Sequence, residues 1–164
     1  MSIKKTYLLL VIFVLGVLGL YFYNKYNVAP KIDLTKLEVL TEDTVVFDFK
    51  SLKGQKVIIS FYASWCGNCL EELATLDKIK NQKLNGITVL AITDESMEKL
   101  SSFKNRKKYP FTFLKLNQPF NSVGIFSIPT VYLLNTKGEV VYQNVGYIEW
   151  DDESTLNHLK TLME

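Results

Sequence analysis

The stretch ASWCGNC, residues 63–69, decides the fold of this chain, because it holds the chain's only two cysteines, Cys66 and Cys69. It follows VIISFY, residues 57–62, a nearly continuous apolar run that is typical of a strand buried on both faces. A helical apolar stripe begins after the second cysteine and continues to about residue 81. The pair is therefore predicted to lie where a buried strand passes into a helix, with Cys66 at the helix N-terminus.

Two cysteines at this spacing have several possible uses. A zinc site needs four ligands, and the sole histidine, His158, lies near the C-terminus. A copper carrier would need further soft ligands, for which Met97 and His158 are poor candidates. A purely structural disulfide gains little from closing a four-residue loop. We favour thiol–disulfide exchange, and we expect neither a metal nor a cofactor.

Redox chemistry suits the predicted position of the pair. Free N–H groups and the macrodipole at a helix N-terminus stabilise a thiolate. Cys66 is therefore predicted to be the attacking sulfur. Cys69 lies one turn inside the helix, where it is shielded and close enough to resolve a mixed disulfide.

Strands and helices alternate along the rest of the chain, which predicts an α/β fold with a mixed sheet flanked by helices. The segment NTKG, residues 135–138, is a hairpin signal, and Asp151 or Asp152 can cap a last helix. Residues 118–126 are expected to be irregular or a short helix. The predicted strands are residues 44–49, 57–62, 87–92, 111–116, 131–134 and 140–143, and the other predicted helices are residues 66–81 and 96–107.

The N-terminal part has the character of a membrane anchor. Lys4 and Lys5 precede 18 uncharged residues, Thr6–Tyr23, which would form a helix about 27 Å long, close to the hydrocarbon thickness of a bilayer. We expect an uncleaved signal-anchor, because Ala29 lies in a poor cleavage context; a removed signal peptide is the alternative. The expected division is a cytoplasmic N-terminus (1–5), a transmembrane helix (6–23), a tether (24–36) and one domain (37–164).

Charge argues against a nucleic-acid partner. The formal net charge of +2 is carried by Lys4 and Lys5: of 19 basic residues, the 17 that follow face 17 acidic ones. A balanced domain lacks the basic excess that nucleic acid requires. The basic run at residues 104–108 and the acidic run at residues 149–153 are predicted to be solvated helix ends.

With ASWCGNC the sequence resembles the thioredoxin superfamily, and fits best its membrane-anchored TlpA/ResA-like branch of extracytoplasmic reductases. The segment IPT, residues 128–130, stands where the family carries its cis-proline loop. The resemblance covers residues 37–164 and implies a thioredoxin-like fold. The spacing of about 60 residues between Cys69 and Pro129 suits the branch with an inserted helix–strand unit, here about residues 96–116.

The resemblance also implies roles for the neighbours of the pair. Trp65, Ile128 and Pro129 are expected to contact substrate, with Pro129 cis and facing the cysteines; a trans proline at a strand start is the alternative. Gly67 and Asn68 are expected to tune the reduction potential. Asn68 replaces the proline that is common in the family, which leaves the direction of electron flow open.

A glutamate is the third predicted catalytic residue. Thioredoxins place a buried acid six residues before the first cysteine, where this chain has Ser60, whereas the TlpA/ResA-like branch has an acid at the position of Glu72. Glu72 shares a helix face with Cys69 and is expected to accept its proton. Glu71 points about 100° away and is expected to be solvated. The alternative is that both glutamates only favour the N-terminal half of the helix.

The leading functional hypothesis is therefore an enzyme that reduces protein disulfides outside the cytoplasm, with cytochrome c maturation as one use. The alternatives are a disulfide oxidase or isomerase and a non-catalytic thioredoxin-fold docking module. The expected partners are a disulfide-containing protein, a membrane thiol electron donor and the membrane itself. The expected location is the bacterial inner membrane, crossed once, with the domain on the periplasmic side.

Overall fold

The computed structural model describes residues 3–164, so Met1 and Ser2 of the predicted cytoplasmic N-terminus lie outside the described residues. A long N-terminal helix precedes an α/β domain built on a six-stranded mixed sheet. The helices are α1 (Ile3–Asn27), α2 (Gly67–Lys83), α3 (Met97–Lys107) and α4 (Glu153–Leu162). The strands are β1 (Val39–Leu40), β2 (Lys56–Phe61), β3 (Ile87–Thr93), β4 (Thr112–Leu116), β5 (Thr130–Leu134) and β6 (Val140–Val145).

The sheet has the strand order β1-β4-β3-β2-β5-β6. Strands β2, β3 and β4 are parallel neighbours, whereas β1, β5 and β6 pair antiparallel with theirs. Both faces of β2 are covered, which explains why its sequence is apolar without alternation. Helices α2 and α3 connect the parallel strands, and their buried side chains share a core with those of α4 on one face of the sheet.

The other face of the sheet is covered by the segment that follows α1. Ala29 and Leu37 are buried there against the sheet. The Gln143 side-chain amide donates to the carbonyl of Ala29 at 2.9 Å, and the Tyr132 hydroxyl donates to the carbonyl of Pro30 at 2.9 Å. The second half of the predicted tether is thus fixed on the domain.

Most predicted elements are confirmed. Helix α2 begins directly after Cys66, and α3 begins after Ser96, whose hydroxyl accepts the Lys99 N–H. The predicted hairpin joins β5 to β6. The basic run ends α3 and the acidic run leads into α4, as expected of solvated helix ends.

The strand predicted at residues 44–49 is wrong. Thr44 has a positive φ of 60°, so the chain reverses there and Val46 makes only one bridge, to Leu40. Asp48 then accepts the Lys50 N–H and starts a 3-10 turn. The short strand that does pair at this edge, β1, was not predicted, because two residues carry no alternation to recognise.

The first helix is longer than the predicted anchor. It extends over 25 residues, and the 21 residues Tyr7–Asn27 are long and apolar enough to cross a membrane. None of this stretch is buried inside the protein, so its apolar surface is free to face lipid. Length and composition are the only grounds for this assignment, and a signal sequence has the same character.

Asp152, and not Asp151, caps α4, because its Oδ2 accepts the Thr155 N–H at 2.7 Å. We therefore expect Asp152→Ala to lower the free energy of unfolding by about 1 kcal/mol. The matched change Asp151→Ala should alter it by less than about 0.5 kcal/mol. Urea unfolding followed by the fluorescence of Trp150, which is buried just before the helix, measures both. Equal losses would contradict the assignment of the cap.

Candidate active site

The two cysteines form a disulfide at the start of α2, with their Cα atoms 5.3 Å apart. Cys66 is the N-cap residue, and the backbone N–H of Cys69 points at its Sγ at 3.3 Å. Cys66 is 8% exposed, whereas Cys69 is completely buried. The reachable sulfur is thus the one that faces a free helix N–H group, an arrangement that stabilises a thiolate.

The neighbours of the pair include surface residues and a proline loop. Trp65 is 74% exposed, and Gly67 and Asn68 are also at the surface. The Ile128–Pro129 peptide bond is cis, which confirms the predicted conformation. The Sγ of Cys66 lies 3.8 Å from the carbonyl oxygen of Ile128. The fold therefore brings the proline loop beside the cysteine across 62 positions of sequence.

Glu72 is completely buried and accepts three hydrogen bonds. The Ser60 hydroxyl donates to Oε2 at 3.1 Å. The Trp150 indole N–H and the Ile148 backbone N–H donate to Oε1 at 3.2 and 3.4 Å. The carboxyl group is thus held between β2, α2 and the segment before α4, one helical turn after the equally buried Cys69.

Burial raises the pKa of Glu72 to about 7, and the three hydrogen bonds oppose this effect by favouring the charged form. A carboxyl group with this pKa exchanges its proton near neutral pH, which is what a general acid–base group requires. Glu71, by contrast, is exposed, as predicted.

Two partners of Glu72 escaped the sequence analysis. Ile148 and Trp150 lie 76 and 78 positions away in sequence, so no local pattern links them to the glutamate. A buried tryptophan needs a partner for its indole N–H, but this rule does not identify the partner. Ser60 was noted only for replacing the acid of thioredoxins. Ser60 lies on β2 and contacts Glu72, which lies on α2. The buried acid of this chain therefore comes from the helix, whereas the buried acid of thioredoxins comes from the strand.

A second carboxylate holds the loop in front of the cysteines, and it too was missed. Oε2 of Glu95 accepts the Ser64 backbone N–H at 2.6 Å, and Oε1 accepts the Ser64 hydroxyl at 2.9 Å. Burial alone would raise the pKa of Glu95, but these hydrogen bonds and Lys99 hold it below its usual range. Glu95 lies just after β3. Its bonds to Ser64 therefore fix the loop that contains Trp65, which follows β2, to the neighbouring strand β3.

A cavity of about 590 Å³ opens over the reactive sulfur. Four aromatic side chains line it, together with the polar residues Asp94, Asn121 and Ser127, and the carbonyl of Ile128 lies beside the sulfur. One wall comes from the end of α1, which the sequence analysis had assigned only to the anchor and tether. We call this cavity the active-site groove; its principal lining residues are Tyr26, Trp65, Cys66, Phe120, Phe126 and Ile128.

Comparisons with known proteins agree with this geometry. The Redoxin family model matches residues 27–160. Thiol-disulfide oxidoreductase ResA of Bacillus thuringiensis is 28% identical over 119 residues, which cover 70% of this chain and 68% of that protein. Thioredoxin-like protein YneN of Bacillus subtilis is 29% identical over 99 residues, which cover 57% of this chain and 58% of that protein.

Solved structures show the same fold. The crystal structure of a thiol:disulfide interchange protein DsbE from Chlorobium tepidum superposes with a TM-score of 0.67 at 24% identity. The match covers 82% of this chain and 99% of that one. The family model, the fold and the cysteine pair at the helix start lead to one conclusion: the chain belongs to the Redoxin family and is a thiol–disulfide oxidoreductase of thioredoxin-like fold.

Proposed function

We propose that this protein reduces disulfides of other proteins outside the cytoplasm, with Cys66 as the attacking sulfur. The observation that carries the proposal is the asymmetry of the pair: Cys66 is reachable from the active-site groove and faces a helix N–H, whereas Cys69 is buried behind it. Cytochrome c maturation is the use that we propose for this reduction.

The reaction has two exchange steps. The Cys66 thiolate attacks one sulfur of the substrate disulfide, which forms a mixed disulfide and releases the other substrate sulfur as a thiolate. Cys69 then loses its proton and attacks the Sγ of Cys66, which frees the second substrate thiol and closes the Cys66–Cys69 disulfide. The substrate gains two electrons and two protons, and a membrane thiol donor must return the same number to the enzyme.

We propose Glu72 as the acceptor of the Cys69 proton. The two residues share a face of α2, and both are fully buried, so bulk water has little access to this thiol. A carboxyl group with its pKa raised to about 7 is ionised often enough to take the proton and protonated often enough to return it.

Trp65, Ile128 and Pro129 are proposed to contact the substrate: Trp65 precedes Cys66 and is exposed, and the carbonyl of Ile128, the residue before the cis proline, lies 3.8 Å from the Cys66 Sγ. Gly67 and Asn68 lie between the two cysteines and are proposed to tune the reduction potential. Of the alternatives, a disulfide oxidase would run the same exchange in reverse, and a disulfide isomerase would use it to rearrange substrate disulfides without net oxidation or reduction. The reduction potential of the pair separates the two directions, because a strong oxidant stabilises its reduced form.

We place the domain on the periplasmic side of the bacterial inner membrane, anchored by the apolar part of α1. Support comes from the length of the apolar stretch and from the fact that none of it is buried inside the protein. Nucleic acid is not among the proposed partners, since the domain is balanced in charge.

Cys69→Ser is expected to accumulate mixed disulfides with a model disulfide protein, because it lacks the resolving thiol, whereas Cys66→Ser should form none. Non-reducing electrophoresis measures both. Brief alkylation of the reduced wild type should label Cys66 roughly tenfold faster than Cys69. Faster labelling of Cys69 would reverse the assignment.

Glu72→Gln is expected to slow disulfide reduction at pH 7 by about 100-fold, because it removes the proton acceptor. The wild-type rate should rise through pH 7 as Glu72 ionises, and the variant should lack this rise. Glu71→Gln is the matched control and should stay close to wild type. Equal, small effects of both changes would reduce Glu72 to a structural residue.

The same pair of proteins gives a stability test of the raised pKa. The pKa of Glu72 rises from 4.5 to about 7 on folding, so the folded oxidised state binds more protons than the unfolded state between these values. The wild type should therefore lose stability relative to Glu72→Gln as pH rises from about 4.5 to about 7. Urea midpoints at pH 5 and pH 8 measure this loss, and parallel pH curves would contradict it.

The segment Thr6–Tyr23 is expected to remain on the mature protein, because the sequence after it offers a poor cleavage site. Intact-mass measurement of protein extracted from membranes tests this directly. A product that starts near Pro30 would instead identify α1 as a removed signal peptide.

A further inference from the structure

We propose that the end of α1 is a wall of the active-site groove, so that the enzyme recognises its substrate partly with its own anchor. The occupant we infer is an extended, apolar, disulfide-bearing segment of a protein held at the membrane surface. This inference rests on the proposed function, because it assigns the substrate class of the same site.

The first argument is contact between α1 and the groove. The Tyr26 ring packs edge-on against Phe126, with 6.3 Å between ring centroids and 73° between ring planes. Lys25 places its Nζ 4.6 Å from the centroid of the same Phe126 ring. Tyr26 thereby lines the cavity that also contains Cys66. A group from the anchor helix and the reactive sulfur belong to one groove.

The second argument is that the chain after α1 is fixed. The carbonyls of Ala29 and Pro30 accept hydrogen bonds from Gln143 and Tyr132 at 2.9 Å each. Pro30 also packs so closely on Gly124 that a Cβ added there would lie 3.3 Å from the proline Cβ. Only two residues separate Tyr26 from this attachment, so the domain holds the end of the helix in place.

The third argument concerns where the groove opens. The uncharged stretch ends at Tyr23, and Lys25 and Tyr26 follow within one helical turn, where lysine and aromatic side chains meet the lipid head groups. A groove walled by Tyr26 therefore opens at the membrane surface. A substrate disulfide must enter it to reach Cys66, so a partner held at that surface is already in place.

The lining determines the chemistry of the occupant. Trp65, Phe126 and Tyr26 are 74%, 43% and 44% exposed, an unusual density of solvent-facing aromatic surface in one place. Substrate residues beside the cysteine bind most favourably if they are apolar, because they then cover these rings. The substrate sulfur must contact Cys66 during the reaction, and Cys66 lines the same groove as these rings. Substrate residues next to that sulfur therefore lie against the aromatic surface.

The test compares two tyrosines of the same helix in the full chain reconstituted in lipid nanodiscs, with dithiothreitol as the reductant and the rate without enzyme subtracted. Tyr26→Ala should raise the KM for a ten-residue peptide, with one disulfide flanked by leucine and phenylalanine, about five- to tenfold. Its effect on 2-hydroxyethyl disulfide, which is too small to reach the wall, should be clearly smaller. Tyr23→Ala is the matched control and should match wild type on both probes, and Tyr26→Phe should restore the KM for the peptide.

The outcomes separate this inference from the function beneath it. Equal KM values for Tyr26→Ala and Tyr23→Ala, in an enzyme that reduces both probes, would overturn the anchor wall and leave the reductase intact. A wild type that reduces neither probe would overturn the proposed function and this inference together.

A second measurement tests the position of the groove. The fluorescence of Trp65 in the reduced protein, taken as the difference between wild type and Trp65→Phe, should be quenched by lipids that carry a nitroxide on the head group. Lipids with the nitroxide in the middle of the acyl chain should quench it less. A Trp65 signal that responds to neither lipid would place the groove away from the bilayer and contradict the inference.

Discussion

The buried carboxyl group of Glu72 is the constraint around which the site is arranged. A charge without partners in a protein interior is costly, so the surrounding structure must supply donors or the group must bind a proton. Here both solutions are used in part: three donors point at the carboxyl group, and burial still raises its pKa to about 7. The contacts tie β2, α2 and the segment before α4 together, and they leave a titratable group one helical turn after Cys69.

The two sulfurs differ in their surroundings, although they lie three residues apart. Cys66 receives the helix N–H and opens to the groove, whereas Cys69 faces the core beside the acid. A helix that begins a short loop after a buried central strand creates this difference, because its start lies beyond the end of that strand and its next turn packs in the core. Directional exchange, with attack by one sulfur and resolution by the other, follows from that placement.

The N-terminal segment connects this chemistry to the candidate membrane-spanning helix. The residues after α1 cover one face of the sheet and hydrogen-bond to β5 and β6, so anchor and domain meet through fixed contacts instead of a free linker. One consequence is that the orientation of the groove relative to the helix axis is set by packing. An enzyme that serves partners at a membrane gains from this arrangement, since a fixed orientation shortens the search for a reactive encounter.

The sequence by itself determined the strand–helix junction of the cysteines, the apolar N-terminal segment, the alternation of elements and the helix face that Glu72 shares with Cys69. Each of these is encoded by neighbouring residues, through apolar periodicity, helix geometry or motif spacing. Only the tertiary structure decided which donors hold Glu72, that Glu95 fixes the loop at Ser64, that residues 44–49 are not a continuous strand, and that Tyr26 lines the groove. These features depend on contacts between residues 12 or more positions apart, or on a single backbone reversal at Thr44, and neither leaves a periodic signal in the chain.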